Sequence, residues 1–183
     1  KNKILIVGVS SLVGKGLLKT LSKGGILGKH EVHGTFNKTF DYSPWQGIVQ
    51  FWRMDLIDKI RIQDTIEQIR PEIIIFPASE GRVDYCEKNH DHARLINIAA
   101  LQYFIESLKA INTLQHFIYI STNAVFDGYH APYSEDSCIS PQNFYGKTKV
   151  EAEQILKNEL QGLYTIARPI LLIGHAFPGR RLS

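Results

Sequence analysis

The sequence has only two cysteines in 183 residues, and Cys86 and Cys138 form neither a CxxC pair nor the spacing of a metal-ligand set. That scarcity excludes a disulfide-stapled secreted scaffold, and the two thiols read as reduced cysteines of an intracellular, cytoplasmic protein. His90 and His92 stand two apart and would not share a helix face, so no metal site is expected. Long apolar runs are also missing. Stretches such as Ile73 to Ala78 fall far short of the roughly 18 residues a spanning helix needs, so no membrane partner is expected. Lys1 to Val9 passes straight into a strand-like run and carries no secretory leader pattern. The net charge is only +3, and no block of five or more like charges occurs. Without such a basic tract, nucleic acid is not an expected partner. No internal repeat or low-complexity tract is present.

What remains is the composition of one globular domain, 44% hydrophobic and 21% charged. Along the chain, two hydrophobic periods alternate. Lys3 to Val9 is a continuous apolar run, the pattern of a strand buried on both faces. Leu12 to Leu21 follows with helical spacing. Glu31 to Phe36 and Ile48 to Trp52 read as the second and third strands. Lys59 to Ile69 reads as a helix ended by Pro71. Glu72 to Phe76 is the most β-branched run and reads as a central strand. His92 to Ala110 reads as a long helix, His116 to Ser121 as a fifth strand and Ala124 to Asn143 as a loop. Phe144 to Leu160 reads as a helix, and Leu163 to Ala167 as a sixth strand. Alternation of this kind implies right-handed crossovers. The expected fold is therefore α/β, a doubly wound parallel sheet of about six strands with helices on both faces, the dinucleotide-binding (Rossmann) arrangement. Another doubly wound fold, such as the flavodoxin-like one, is the alternative. Fold alone leaves function open.

The first strand runs into Gly8-Val-Ser-Ser-Leu-Val-Gly14 and then a helix. Such a turn aims backbone N–H groups and a helix N-terminus at a phosphate. Ser11 stands where a middle glycine is usual, and its hydroxyl can itself donate to a phosphate. An acid that would hold the adenosine ribose is expected about 20 residues further on. The segment Gly34 to Lys38 contains none, and Lys38 suits a 2′-phosphate, so NADP(H) is favoured over NAD(H). Asp55, followed by Leu56, suits an adenine amine; equally, Asp55 or Asp58 would cap the next helix.

Tyr145 and Lys149 lie four apart at the start of a helical segment, so both project from one face. A neighbouring ammonium favours phenolate and would lower the tyrosine pKa, poising it to exchange a proton with a carbonyl or alcohol oxygen. Ser121-Thr122 ends the fifth strand, where doubly wound folds place their ligands, and a hydroxyl there would polarise the same oxygen.

Several blocks together carry a resemblance. They are Ser121 to Gly128 (STNAVFDG), Pro132 to Asp136 (PYSED) and Pro141 to Glu153 (PQNFYGKTKVEAE). The glycine turn, Asp55-Leu56, Ala78 to Glu87, Ile96-Asn97 and Arg168-Pro169 to Gly174 follow in matching order. With them the chain resembles the extended short-chain dehydrogenase/reductase family over nearly its whole length, most of all the dTDP-4-dehydrorhamnose reductases and their sugar-nucleotide relatives. The resemblance implies that Thr122 orients substrate, Tyr145 is the general acid, and Lys149 activates it and contacts a ribose. Gly8, Ser10, Ser11, Leu12, Val13 and Gly14 would hold a pyrophosphate, and Asp55 and Leu56 would face the adenine. Ala78, Ser79 and Ser121 would line the nicotinamide side, with Asn97 in support. Three departures stand out, namely Ser11, Pro77 and the segment Ser79-Glu80-Gly81-Arg82.

The implied activity is NADP(H)-dependent reduction of the 4-keto group of a nucleotide-linked deoxysugar, with a homodimer as the implied assembly. An epimerase is a further reading. A dehydratase is disfavoured, because Asn123-Ala124 is not the acid pair such enzymes place beside the threonine. A non-catalytic regulatory subunit, like the β-type relatives of methionine adenosyltransferase, is the reading from a different class. The resemblance further implies a Rossmann domain over residues 1–174, with 175–183 beginning a C-terminal substrate domain that is missing or truncated here.

Overall fold

The computed structural model describes residues 1–38 and 40–170. The expected end of the Rossmann domain at 171–174 and the expected start of a second domain at 175–183 lie outside the described residues. Six strands form one sheet: β1 (Lys3–Val7), β2 (Glu31–Phe36), β3 (Val49–Arg53), β4 (Ile73–Phe76), β5 (His116–Ile120) and β6 (Tyr164–Ala167). All neighbours pair in parallel, in the order β3-β2-β1-β4-β5-β6. This is the Rossmann order, and it rules out the flavodoxin-like alternative, in which β1 lies between β2 and β3.

Three helices begin where a side chain caps them. α1 (Leu12–Lys23) is capped by Ser11, α3 (Lys59–Ile69) by Asp58, and α7 (Phe144–Leu160) by Asn143. In each, the capping oxygen accepts the backbone N–H three residues on, satisfying one of the orphan donors of a first turn. Asp58 is therefore the cap of α3, which settles one alternative left open by the sequence. α2 (Ile26–Lys29) is a single turn. The helix expected over 92–110 starts earlier and is interrupted: α5 (His90–Arg94) runs through a π-helical turn (Leu95–Ala99) into α6 (Ala100–Ile111). α4 (Val83–Lys88) has no counterpart in the sequence reading. Its six residues are too few to display a helical period, and four of them are exposed or charged. Among the described residues, no helix is long and apolar enough to cross a membrane.

Alternate residues of β1 enter two different cores, because successive side chains of a strand point to opposite faces. Leu5 and Val7 join Ile74, Phe76, Phe117 and Tyr119 beneath α3, α6 and α7. Ile4 and Ile6 join Val32, Val49 and Ile75 beneath α1. On this second face the described residues of the crossover from β2 to β3 form a 3₁₀ turn (Ser43–Trp45) in place of an α-helix. Aromatic rings supply the missing cover. Phe40 stacks on Trp45 and meets Phe36, Tyr42 and the edge of Phe51, with the Lys15 ammonium 5.6 Å from its ring centre.

Phe40 is 7% exposed, so its ring substitutes for a helix face. Phe40→Ala is expected to cost about 3 kcal/mol in urea denaturation. Ile60, at 70% exposure on α3, provides the contrast, and Ile60→Ala is expected to stay within about 0.5 kcal/mol of the parent chain.

Candidate active site

Strand order reverses between β1 and β4, and the loops leaving these two strands open a crevice at their C-terminal ends. The glycine turn fills one wall. Gly8 has φ +89°, and a Cβ there would lie 2.8 Å from the Cβ of Ala78, so the first residue after β1 touches the loop after β4. A Cβ on Gly14 would lie 2.4 Å from the Gly8 carbonyl oxygen, so helix and turn are pressed together. The Ser11 N–H goes to the Gly8 carbonyl, and the Gly14 N–H goes to Ser11 Oγ. The N–H groups of Leu12 and Val13 belong to the first helical turn, which offers them no intrahelical acceptor. Ser11 Oγ accepts in its cap, while its own proton remains a donor. Ser10 lies in the same turn between Val9 and Ser11. These donors are of the kind that could receive a pyrophosphate.

The opposite wall is the 77–82 segment, and Asn97 holds it. Asn97, 3% exposed, accepts from the Glu80 N–H at 2.8 Å and donates to the Glu80 carbonyl at 3.1 Å and to Thr148 Oγ1 at 3.0 Å. One side chain thus ties the β4 loop to α7. Asn97 lies within the π turn, an irregularity of the kind often found at functional sites. Glu80 binds the Arg82 guanidinium in two places, and Arg82 covers the Tyr85 ring. The unusual Ser79-Glu80-Gly81-Arg82 segment is therefore internally cross-linked, with Ser79 exposed at its start.

On the third side, α7 carries Tyr145 against the turn after β5. A Cβ on Gly146 would lie 2.3 Å from the Ala124 carbonyl oxygen, so only glycine permits this approach. The Glu87 carboxylate accepts the Phe144 N–H at 2.8 Å and fixes the helix start. Thr122 caps the short turn 123–125, with its Oγ1 accepting from the Ala124 N–H. The hydroxyls of Ser79 and Thr122 both favour the Tyr145 phenolate by hydrogen bonding. Three expected residues, Ser79, Thr122 and Tyr145, thus converge from three segments.

Lys149 is fully buried. Its ammonium donates to the Ile120 carbonyl at 2.8 Å and lies 4.1 Å from the centre of the Tyr119 ring. Burial lowers its pKa from 10.5 to about 7, opposed by the Glu153 carboxylate. The tyrosine does not behave as the spacing suggests. Burial dominates and holds the Tyr145 phenol above its ordinary value, outweighing the two hydroxyls. Four-residue spacing places both side chains on one face, but Lys149 reaches down to β5. Ser121 also turns away from the crevice, and its hydroxyl donates to Glu153 Oε1 at 2.5 Å.

At the far rim, Asp55 Oδ1 accepts the Ile57 N–H at 3.2 Å, and Leu56 packs partly against the core. Lys38 is exposed beside the end of β2. Sequence reasoning missed Arg53, whose Nε donates to the Asn37 carbonyl at 3.2 Å and brings a second cation to that rim. The register Phe36↔Arg53 puts it there, and matching the lengths of two parallel strands would have revealed it. Glu153 and Arg168 were also missed as site residues. Arg168 donates to both carboxylate oxygens of Glu153, at 3.0 and 2.7 Å.

The Lys149 shift has a measurable consequence. The unfolded lysine keeps its proton to about pH 10, while the folded one loses it near pH 7. Between these values the unfolded chain binds more protons, so stability rises with pH, by up to about 1.4 kcal/mol per unit. Urea denaturation between about pH 7 and pH 9 is expected to show a flatter dependence for Lys149→Met than for the parent chain. Equal slopes would mean that the buried lysine keeps its ordinary proton affinity.

Comparison with known proteins agrees with this architecture. A family model described as the RmlD substrate binding domain matches residues 2–176. Methionine adenosyltransferase 2 subunit beta of Rattus norvegicus is 31% identical over 170 residues, covering 92% of this chain and 47% of that protein. A solved structure described as a hypothetical dTDP-4-dehydrorhamnose reductase from Sulfolobus tokodaii is 32% identical with a TM-score of 0.77, covering 92% of this chain and 55% of the other. The dTDP-4-dehydrorhamnose reductase from Bacillus anthracis, solved in complex with NADP, is 25% identical with a TM-score of 0.73, covering 93% of this chain and 54% of the other. The chain spans about half the length of the curated relatives it matches. With a six-stranded Rossmann sheet, a glycine turn at its switch point and a family match over most of its length, the chain belongs to the RmlD substrate-binding domain family, among the extended short-chain dehydrogenase/reductase proteins.

Proposed function

We propose that this chain is the dinucleotide-binding part of a reductase that uses NADP(H) to reduce the 4-keto group of a nucleotide-linked deoxysugar. The observation that carries the reading is that the Ser79 and Thr122 hydroxyls meet the Tyr145 phenol at the C-terminal ends of β4 and β5, with Lys149 buried one turn further along α7. The amides of Leu12 and Val13 and the Ser10 and Ser11 hydroxyls receive the pyrophosphate, with Gly8 and Gly14 keeping the turn close. Asp55 and Leu56 border the adenine. Lys38 and Arg53 receive the 2′-phosphate, which is the reason to favour NADP(H); the NADP bound by the Bacillus anthracis relative supports the same choice. Ala78 and Ser79 border the nicotinamide, and Asn97 keeps their segment in place. When bound, the dinucleotide supplies the hydride.

The chain's own residues supply position and a proton. Thr122 Oγ1 donates a hydrogen bond to the oxygen at sugar position 4, and the Tyr145 hydroxyl gives its proton to that oxygen as negative charge develops. A phenol held above its ordinary pKa by burial is protonated at neutral pH, as a general acid for reduction must be. Lys149, when charged, eases the departure of that proton by stabilising the phenolate left behind. Sugar specificity is assigned to a substrate domain following the Rossmann domain, and the working form to a cytoplasmic homodimer.

A second reading has its own support, the 31% identity to methionine adenosyltransferase 2 subunit beta across 92% of the chain. Under it the same crevice binds a dinucleotide without turnover, in a regulatory subunit. NADPH oxidation with dTDP-4-dehydrorhamnose separates the two. The reductase reading expects turnover, a loss of at least ~100-fold in Tyr145→Phe, and little change in NADPH affinity. NADPH binding with no reduction would favour the regulatory reading, and unchanged turnover in Tyr145→Phe would remove the tyrosine from the mechanism.

A further inference from the structure

Behind the crevice lies a buried charged cluster. Lys149 and Glu153 are both fully buried, one turn apart on α7. Oppositely charged residues at that spacing ordinarily pair with each other. Here the Lys149 ammonium bonds the Ile120 carbonyl, and the Glu153 carboxylate is taken up elsewhere. Its Oε1 accepts from Ser121 Oγ and Arg168 Nε, and its Oε2 accepts from Arg168 Nη2. Arg168 follows β6 directly and is fixed in turn, with Nη1 donating to the Glu135 carbonyl and the guanidinium lying 5.3 Å from the centre of the Phe126 ring.

Two features of this arrangement are physically coupled. A wholly buried ammonium is costly unless a negative charge lies nearby. A carboxylate in direct contact would offset that cost, but it would also capture the ammonium and draw it away from the crevice. Arg168 and Ser121 occupy the carboxylate, so its field reaches Lys149 while the ammonium stays on β5.

We infer that Glu153, held by Arg168 and Ser121, is a positioning residue that serves as a fixed counter-charge raising the proton affinity of Lys149 without pairing with it. The functional consequence rests on the proposed role of Tyr145 and Lys149, whereas the counter-charge itself does not. Other ionisable groups around the lysine are the Tyr119 phenol on β5 and the Tyr145 phenol on α7, with the Cys86 thiol of α4 acting on Tyr145. None of these carries a negative charge at neutral pH in its ordinary form, and Arg168 on Glu153 is itself a cation, so among the described residues Glu153 is the counter-charge that acts on Lys149.

NMR titration of the full chain with ¹³Cε-labelled lysine follows Lys149 without any substrate or dinucleotide. Glu153→Gln keeps the shape and removes the charge. It is expected to move the Lys149 midpoint down by about one pH unit or more, a tenfold or greater loss of proton affinity. Glu153→Asp is expected to restore most of that loss, and Ser121→Ala to weaken folding while leaving the midpoint nearly in place. An unmoved midpoint in Glu153→Gln, or an equal fall in Glu153→Asp, would overturn the inference. Should Glu153→Gln not fold, the Glu153 Cδ resonance of the parent chain decides: it is expected to report a carboxylate wherever Lys149 is charged, and a protonated Glu153 there would refute the counter-charge. If turnover is absent while the midpoint shifts as expected, the reductase reading fails and the counter-charge stands.

Discussion

The reversal of strand order between β1 and β4 is the constraint on which the candidate site depends. Right-handed crossovers carry the chain outward from β1 to β3, then back across to β4 and outward again on the other side. Two adjacent parallel strands therefore send their exits in opposite directions, and the gap between those exits is the only place where the glycine turn and the β4 loop can meet. The 2.8 Å approach between an imagined Gly8 Cβ and Ala78 measures how tightly they do. Crossover handedness, the twist of the sheet and the absence of a Cβ at Gly8 act together there.

A second level of organisation locks that gap. Asn97 couples the β4 loop to α7, Glu87 holds the start of α7, and Gly146 lets α7 settle on the turn after β5. Each contact joins elements far apart in sequence, so Ser79, Thr122 and Tyr145 are brought together by packing and not by local spacing. The π turn around Asn97 fits this picture as an irregularity retained where a side chain has to reach two partners at once. Beneath it, the Lys149–Glu153–Arg168 group shows how a buried cation can be kept without a direct ion pair, provided that its counter-charge is itself saturated by donors.

Much of the fold was legible because the relevant signals are local. β2, α3 and α7 lie where the hydrophobic period places them, and β1 reads as a doubly buried strand because both its faces enter cores. α4 was not legible, being too short for a period and largely exposed. The 3₁₀ turn in the crossover between β2 and β3 is covered by an aromatic cluster whose members pack only in three dimensions. At the site, the glycine turn and the Thr122, Tyr145 and Lys149 set could be picked out as candidates, yet the direction of the tyrosine's shift is the reverse of the one its spacing suggests. Charge proximity was read from spacing, whereas burial decides the outcome, and burial is a property of the packed molecule.

The amino-acid sequence by itself determined the alternation of strand and helix, the parallel doubly wound class, the glycine turn, and which side chains could do chemistry. These follow from period, turn residues and caps, all encoded within a few residues of one another. Only the tertiary structure decided where those side chains point. It turned Ser121 toward Glu153 and Glu153 toward Arg168, sank Lys149 against β5, set Arg53 on the Asn37 carbonyl and gave Asn97 its clamp. Such outcomes depend on register, on close approach between distant segments and on the removal of water from buried charges, and no stretch of sequence specifies these alone.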